Sequence, residues 1–408
     1  MLDLLYIVLI FIVVTTIGYL LSMNREYRIS KFKIKFTLGG VLLFIGGERV
    51  PKRVKPLRRE LHIAFIAVAL LGIALFYLFF LPIIINMIKS FIEFVSGYSA
   101  SPPQPTLVPL PLLFQYRELI AYLIVAIVVG VVVHEISHAL VALREGIKIR
   151  SWGIGMLFLF PIAFVELDEE QFTKAPPRAR INIATAGIFS NAIVSLISFI
   201  ALFILSSMLP FLGNVSTAVT VTRIDCSICN VSLCPAQLID VSVGDIIVAI
   251  DGSRVYSTND VEKILRGKSI GSPLSITICS SGGCANKTAI LSARNLRVYA
   301  EKGMEVPCLG ISMAQTLVFE KNGLFLRYPT IENLFTYLNS IFIVNFSLYV
   351  LNAIPFIISD GSIFVGALSS IFQPLKTLSS RKLLDLINIA ILVVAIVISS
   401  YIFLRFTQ

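Results

Sequence analysis

Six long runs of apolar residues, separated by polar stretches, divide the chain. Each run has about the 20 residues that a helix needs to cross the hydrocarbon core of a bilayer. They extend over residues 1–21, 61–87, 119–143, 181–209, 331–357 and 383–404. Asp3 stands where a signal peptide would be basic, so we expect the first run to remain as a membrane span. The pattern predicts a polytopic α-helical membrane protein with about six transmembrane helices.

Two regions depart from this pattern. Residues 153–165 are apolar but too few to span a bilayer, and Pro161 interrupts them, which predicts a re-entrant hairpin at the membrane boundary. Residues 215–313 alternate short Val- and Ile-rich runs with turn residues, a pattern typical of strands. Residues 234–255 resemble the core of a PDZ domain, and 259–265 the helix that follows it, with Asn259 as the predicted N-cap. The chain therefore carries an inserted PDZ-like α+β domain.

Composition excludes a soluble enzyme. Of the 408 residues, 56% are hydrophobic and 14% charged, whereas a soluble globular protein has about 25% charged residues. The net charge is +10, and the eleven basic residues of positions 25–59 face only three acidic ones up to position 60. Basic loops stay in the cytosol, so this loop is predicted to be cytosolic and the N-terminus extracytosolic. Topology thus explains the charge, and we expect no nucleic-acid partner.

Counting spans from that loop assigns the remaining segments. The PDZ-like domain is predicted to be extracytosolic, and the five prolines of residues 102–111 indicate an extended external linker. The predicted segments are the first span and basic cytosolic loop (1–60), the second span and Pro-rich linker (61–118), the third and fourth spans with the hairpin between them (119–212), the PDZ-like domain (213–325), the fifth span (326–372), and a basic loop with the last span (373–408).

All six cysteines lie between Cys226 and Cys308, within the predicted PDZ-like domain. An even number of cysteines in an extracytosolic module favours a disulfide framework. A Cys-ligated zinc site and free, partly buried thiols are the two alternatives.

The third span carries His134-Glu135-Ile136-Ser137-His138, and the whole chain has three histidines. Residues four apart share one face of a helix, so both imidazoles can reach the same metal ion. Imidazole nitrogen suits zinc, and Glu135 can act as general base on a zinc-bound water. A carboxylate inside a membrane span is costly, which favours a functional role over paired polar core residues.

A catalytic zinc needs a third protein ligand. His134 lies fifteen residues below the outer end of its span, near the cytosolic side, and Asp360 ends the fifth span on that side. Pro355 is expected to break the fifth helix and to free backbone groups that line a polar cavity. Asn352 is expected to bind such groups or an extended substrate. The alternative for Asp360 is a solvated carboxylate at a helix end.

This constellation resembles the site-2 proteases, which are intramembrane zinc metalloproteases. Their pattern is HExxH in one span and Asn-x-x-Pro-x-x-x-x-Asp-Gly in a later one, matched here from Asn352 to Gly361. A further family element, Gly-x-x-x-Asn, occurs from Gly187 to Asn191. The likeness covers roughly residues 119–365 and is closer to the branch with an inserted PDZ-like domain, which includes the sterol-pathway enzymes of animals. Ser359 replaces the Leu that is usual before the aspartate.

The resemblance implies a zinc-dependent intramembrane endopeptidase that cleaves transmembrane segments of single-span or membrane-anchored proteins. It implies one Zn²⁺ per chain held by three ligands, a catalytic glutamate, and four residues that bind substrate. These are His134, His138 and Asp360 for the metal, Glu135 for catalysis, and Asn191, Asn352, Pro355 and Gly361 for the substrate.

The PDZ-like domain is then expected to exclude substrates with large extracytosolic parts, so that an earlier extracytosolic cut precedes this one. A simple docking or folding module is the alternative. The protein is expected in the cell membrane, in contact with lipid, with its zinc site towards the cytosol. Two other functions stay open: a scaffold with a structural metal, and a membrane zincin whose third ligand is Glu166 or Glu169.

Overall fold

The computed structural model describes residues 2–22, 26–29, 32–51, 57–98, 103–106, 117–157, 160–229, 231–280, 283–293, 307–321, 324–356, 359–371 and 381–406. The chain forms two compact units. One consists of Met1–Ile200 with Tyr337–Gln408, and the other of Ala201–Thr336. Most of the predicted linker (107–116) and most of the loop before the last span (372–380) lie outside the described residues.

Helices make up most of the first unit. In chain order the helices are α1 (Leu2–Ser22), α2 (Arg59–Leu75), α3 (Leu81–Val95), α4 (Arg117–Arg144), α5 (Glu169–Lys174), α6 (Pro177–Met208), α7 (Pro235–Leu238), α8 (Thr258–Arg266), α9 (Pro329–Ala353), α10 (Asp360–Ser369) and α11 (Arg381–Phe406). A π-helical segment, Phe76–Phe80, joins α2 to α3. It ends two residues before Pro82, which lacks the N–H that a regular helix would use there.

Five helical segments of the described chain are long and apolar enough to cross a membrane. They are Arg59–Val95, Leu119–Arg144, Pro177–Phe211, Pro329–Ala353 and Leu384–Phe403, and they match five of the six predicted spans. The sixth predicted span corresponds to α1, in which the shorter apolar stretch Ile10–Ser22 was found. An α-helical membrane protein is thus confirmed, whereas the count of six stays a prediction.

Strands occur in both units. They are β1 (Glu26–Ile29), β2 (Phe32–Thr37), β3 (Gly40–Gly46), β4 (Ile149–Leu157), β5 (Phe160–Leu167), β6 (Asn214–Ile224), β7 (Ile246–Ile250), β8 (Ser253–Arg254), β9 (Pro273–Ser280), β10 (Gly283–Ile290), β11 (Ser292–Ala293), β12 (Pro307–Cys308), β13 (Ile311–Lys321) and β14 (Leu324–Leu326). In the first unit, β1 to β5 form one antiparallel sheet in sequence order.

The short apolar run between the third and fourth spans is a β-hairpin, formed by β4 and β5. Its outer partner is β3, so the basic loop between the first two spans contains strands that the sequence analysis did not predict. A Cβ on Gly46 would lie 1.9 Å from Trp152 Nε1, so only glycine admits the indole at this bulge. Pro161 sits on β5, which is an edge strand among the described residues and therefore does not need its N–H. Whether the hairpin enters the membrane stays a prediction.

The fifth span is interrupted as the sequence suggested, and its helix ends before residue 357, the predicted end of the span. Helix α9 ends at Ala353, because Pro355 disfavours helical geometry at the residue before it and cannot donate a backbone hydrogen bond. A new helix, α10, begins at Asp360 with Ser359 as its N-cap, whose side chain accepts a hydrogen bond from Ser362 N. Asp360 is thus the first residue of a separate helix.

The second unit is an α+β module. Its main sheet has the order β10-β9-β7-β6-β13-β14, with β8 paired to β7. The segment that resembles a PDZ core contains helix α7, strand β7 and a turn at Asp251 and Gly252, and the helix predicted after it is α8. The predicted N-cap was wrong, because Ser257 caps α8 through a reciprocal capping box with Asp260.

Three disulfides join the six cysteines: Cys226–Cys234, Cys229–Cys308 and Cys279–Cys284. The disulfide interpretation is therefore confirmed over zinc ligation and free thiols.

At the start of α8, hydrogen bonds from Tyr256 N, the Ser257 side chain and Ser257 N hold the pKa of Asp260 below its ordinary value.

Candidate metal centre

Two helices of the first unit bring the three predicted ligands together. His134 and His138 lie one turn apart on α4, and Asp360 begins α10. Asp360 Oδ2 lies 3.0 Å from His134 Nε2 and 3.2 Å from His138 Nε2, and the two Nε2 atoms are 3.0 Å apart. One nitrogen from each imidazole and one carboxylate oxygen therefore converge on a single point.

The Nδ1 atoms of both imidazoles face α6 on the opposite side. His138 Nδ1 lies 2.7 Å from the carbonyl oxygen of Ile183, which can only accept a hydrogen bond, so Nδ1 carries the proton. The lone pair of a neutral His138 is then on Nε2, which points at the convergence. A metal-ligating histidine normally donates its other N–H in this way.

His134 has an amide partner on α6, the helix that also carries Ile183. Asn191 Nδ2 lies 3.0 Å from His134 Nδ1, and Asn191 Oδ1 is buried without a hydrogen-bond partner. Exchanging the two amide atoms, which have nearly the same shape, lets Oδ1 accept a hydrogen bond from Nδ1–H. That orientation satisfies the orphaned oxygen and also leaves the Nε2 lone pair free for a metal.

The donor set and its spacing fit zinc. In a tetrahedral site with bonds of about 2.0–2.1 Å, two ligand atoms are about 3.3 Å apart. The three separations here are 3.0, 3.0 and 3.2 Å. Two imidazoles and one carboxylate are also ligands that catalytic zinc sites use, with a fourth position left for water.

The alternative third ligands do not join this group. Of the described carboxylates, Asp360 is the one with a donor atom within 4.8 Å of both imidazole nitrogens. Glu166 Oε2 instead accepts a hydrogen bond from Ser151 Oγ at 2.5 Å. Glu169 lines the cavity beside the three residues without belonging to the group.

Close packing of α6 against α4 depends on Gly187. A Cβ at this position would lie 2.4 Å from His134 Cε1 and 2.5 Å from His138 Nε2. These distances are shorter than any ordinary contact, so no side chain fits here unless the imidazoles move. The glycine of the Gly-x-x-x-Asn element thus brings α6 close enough for Ile183 and Asn191 to contact the two histidines.

Glu135 lies between the convergence and strand β5. Its Oε2 accepts a hydrogen bond from Val165 N at 3.1 Å. A cavity of about 430 Å³ opens here, and besides the three converging residues its lining comprises Glu135, Val165, Leu167, Glu169, Phe172, Ile183, Ala184, Asn352 and Ile363. Water and an extended peptide therefore have room next to the carboxylate.

The four residues predicted to bind substrate have different surroundings. Asn352 lines the cavity. Asn191 is fully buried against His134, and the carbonyl of Pro355 accepts a hydrogen bond from Asn388. A Cβ on Gly361 would lie 2.2 Å from Ala353 O, so glycine is required for the turn between α9 and α10. A role of any of them in substrate binding stays a prediction.

Two contributors, Val165 and Ile183, were not predicted from the sequence, because both act through backbone atoms. For Val165, the signal in the sequence was the short apolar run that forms the hairpin. No residue type marks Ile183, whose carbonyl orients His138.

Comparisons with known proteins agree with this geometry. The sequence model described as peptidase family M50 matches residues 122–395. A protein of Arabidopsis thaliana named membrane-bound transcription factor site-2 protease homolog is 33% identical over 141 residues, which are 35% of this chain and 26% of that protein. A putative zinc metalloprotease of Clostridium perfringens is 27% identical over 182 residues, covering 39% of this chain and 50% of that protein.

Two further matches are more limited. An uncharacterized protein of Methanocaldococcus jannaschii is 30% identical over 186 residues, 45% of each chain. The chain thus spans between a quarter and a half of the length of these relatives. The PDZ domain of an SdrC-like protein of Listeria monocytogenes covers 23% of this chain and 85% of its own, with 22% identity and a TM-score of 0.19. That score is too low to support an inference.

Proposed function

Because the chain belongs to peptidase family M50, we propose that it is a zinc-dependent intramembrane endopeptidase. Its substrates are the transmembrane segments of single-span or otherwise membrane-anchored proteins. The observation that carries the proposal is the convergence of His134, His138 and Asp360 at 3.0–3.2 Å, beside Glu135. Three of these four polar residues lie in a helix apolar enough to span a membrane, where they would be costly without a function.

The three converging residues would hold one zinc ion per chain. The chemistry that this ion would supply is a bound water of lowered pKa and polarisation of the scissile carbonyl. Glu135 takes the proton from the attacking water and passes it to the leaving amine. The hydrogen bond from Val165 N fixes the Glu135 carboxylate at the wall of the cavity that the three converging residues also line.

We propose that strand β5 binds the unwound substrate by strand addition. Val165 N points away from β4, towards Glu135, so this edge of β5 faces the cavity. Residues two apart on a strand present their backbone groups to the same edge. The N–H and C=O of Ala163 and the C=O of Pro161 are therefore available for an extended peptide that runs past the site. A substrate helix must unwind before cleavage, because helical hydrogen bonds hide its carbonyls.

The two asparagines have different roles in this proposal. Asn352 lines the cavity and hydrogen-bonds the exposed backbone of the substrate. Asn191 is fully buried against His134 and orients that imidazole, in preference to the substrate contact that the sequence suggested.

The proposed topology has six spans, with α1 as the first, in the cell membrane. The N-terminus and the second unit are extracytosolic, and the zinc site lies towards the cytosol. The three disulfides support this placement, because disulfides persist in oxidising compartments and are rare in the cytosol. Since the second unit is inserted between α6 and α9, we propose that it excludes substrates with large extracytosolic parts, so that an earlier cut is required.

The direct test is to incubate the purified protein with a single-span substrate and to map the product, with and without phenanthroline. Cleavage within or beside the transmembrane segment, abolished by the chelator, is the expected result. Glu135→Gln should keep its zinc and lose cleavage, because the amide cannot accept the proton of water. Cleavage retained by this variant would contradict the proposal, and so would zinc content lost in Glu166→Ala but kept in Asp360→Ala.

A further inference from the structure

Helix α11 carries two buried polar side chains that the proposed chemistry does not use. Asn388 is 1% exposed and Asp385 is 6% exposed, and they lie three residues apart on one face. Both belong to a segment that is apolar enough to span a membrane. Polar side chains in such positions need partners and commonly mark a functional element.

Asn388 holds the start of the interruption between α9 and α10. Its Nδ2 donates to the carbonyl oxygen of Pro355 at 2.7 Å, and Tyr77 Oη donates to its Oδ1 at 3.0 Å. The interruption leaves the Pro355 carbonyl without a helical partner, and in apolar surroundings such a group needs a donor. The amide of α11, anchored by the π-helical segment before α3, provides it.

The other end of the interruption is held by two serines and Asp385. Ser359 is 1% exposed, and its Oγ donates to Ile354 O at 2.6 Å while accepting from Ser362 N at 3.1 Å. Asp385 Oδ2 accepts from Ser362 Oγ at 3.4 Å. Asp360 lies between these two serines, so contacts on both sides determine where its carboxylate points.

We propose that Asn388 is a positioning residue for the metal ligand Asp360. Together with Tyr77 and Asp385, Asn388 fixes both ends of the interruption. The backbone there is thereby restricted to the conformation that places Oδ2 of Asp360 beside the two imidazoles. This inference rests on the proposed zinc site and deepens it, because the last span becomes part of the support for the metal although it contributes no ligand.

The test compares Asn388→Leu with a matched control on the same helix. Leucine has the same branched shape at Cγ and removes the donor to Pro355, whereas Ser400→Ala removes a hydroxyl that bonds its own helix, at Ile396 O. Zinc affinity is measured by chelator competition in detergent, and the absorption of the cobalt-substituted protein reports ligand geometry. Loss of a supporting contact typically lowers metal affinity about 10- to 100-fold.

We expect that loss in Asn388→Leu, an altered cobalt spectrum, and partial recovery of cleavage with excess zinc, while the control matches the wild type. Zinc affinity within twofold of wild type and an unaltered cobalt spectrum in Asn388→Leu would overturn the inference, even if the variant unfolds at a lower temperature. If Asn388→Leu does not fold, Tyr77→Phe replaces it. That variant removes one hydroxyl only, and we expect an affinity loss of threefold or more; unchanged affinity would overturn the inference.

Zinc binding and cleavage measured on the wild-type protein distinguish a failure of this inference from a failure of the proposed function. A wild-type protein that binds zinc without cleaving any membrane-anchored substrate contradicts the function, whereas the affinity ratio between Asn388→Leu and wild type still decides the positioning role.

Discussion

Replacing Gly187 by alanine tests whether the two histidines are positioned by helix packing. In an isolated helix, alanine is favoured over glycine by about 1 kcal/mol, so propensity alone predicts a more stable protein. The structure predicts the opposite effect at the metal site. The added Cβ would lie 2.4 Å from His134 Cε1, 2.5 Å from His138 Nε2 and 2.6 Å from His134 Nε2.

The size of the effect follows from these distances. Ordinary contact begins at 3.4 Å and the closest ring atom would be at 2.4 Å, so this atom must move by about 1 Å, or α6 must retreat by that amount. Overpacking of this kind costs about 1–3 kcal/mol. If the strain falls on the imidazoles, zinc affinity decreases about 5- to 140-fold, since about 1.4 kcal/mol corresponds to a factor of ten.

The assay is chelator competition on detergent-purified protein, with Gly47→Ala as the control. A Cβ on Gly47 would meet nothing within 4 Å, so this variant makes the same chemical change in open space. Weaker zinc binding in Gly187→Ala and wild-type binding in Gly47→Ala are expected. Zinc affinity of Gly187→Ala within twofold of wild type would show that α6 does not limit the position of the imidazoles.

Two further predictions concern the second unit. Replacing Cys229 and Cys308 by serine removes a disulfide that closes a loop of 79 residues. The free energy of unfolding of this unit should therefore decrease by about 4 kcal/mol. Hydrogen exchange of β13 measures this decrease, and unchanged protection of β13 would contradict the prediction. Backbone hydrogen bonds lower the pKa of Asp260, so its contribution to stability is present above the ordinary Asp pKa and is lost as the pH falls below about 4. The stability difference between wild type and Asp260→Ala should therefore shrink in acid, whereas the difference for the control Asn259→Ala should not, because that side chain on the same helix carries no titratable group. A difference for Asp260→Ala that is independent of pH would refute the argument.

The residues of the candidate metal centre could be predicted from the sequence because most of their signals are local. The spacing of His134 and His138 fixes a common helix face, and the spacing from Asn352 to Asp360 contains a proline that must end a helix. Both inferences need only the geometry of one element. Asp360 became a predicted ligand because the predicted topology gives its span the same direction as the span of the histidines, which brings it to the same depth.

The sheet of the first unit was not predicted, because its pairing is non-local. Strand β3 pairs with β4 more than 100 residues later, from Gly40 opposite Leu157 to Gly46 opposite Trp152. A signal existed in β2, where Lys33 and Lys35 alternate with apolar residues as the two faces of a strand require. Because the charge of this loop already had an explanation in the predicted topology, the alternation in β2 led to no strand prediction.

The supporting residues were harder to find than the ligands for a different reason. Ile183 and Val165 act through backbone atoms, which every residue type possesses. Asn388 acts on the carbonyl of Pro355, so its role exists only because α9 ends where it does and α11 packs there. Backbone groups that a helix break frees in apolar surroundings, away from a water-filled cavity, need a polar side chain as partner. Asn388 fills that need for the carbonyl of Pro355, so buried amides opposite helix breaks are where the support of such a site should be sought.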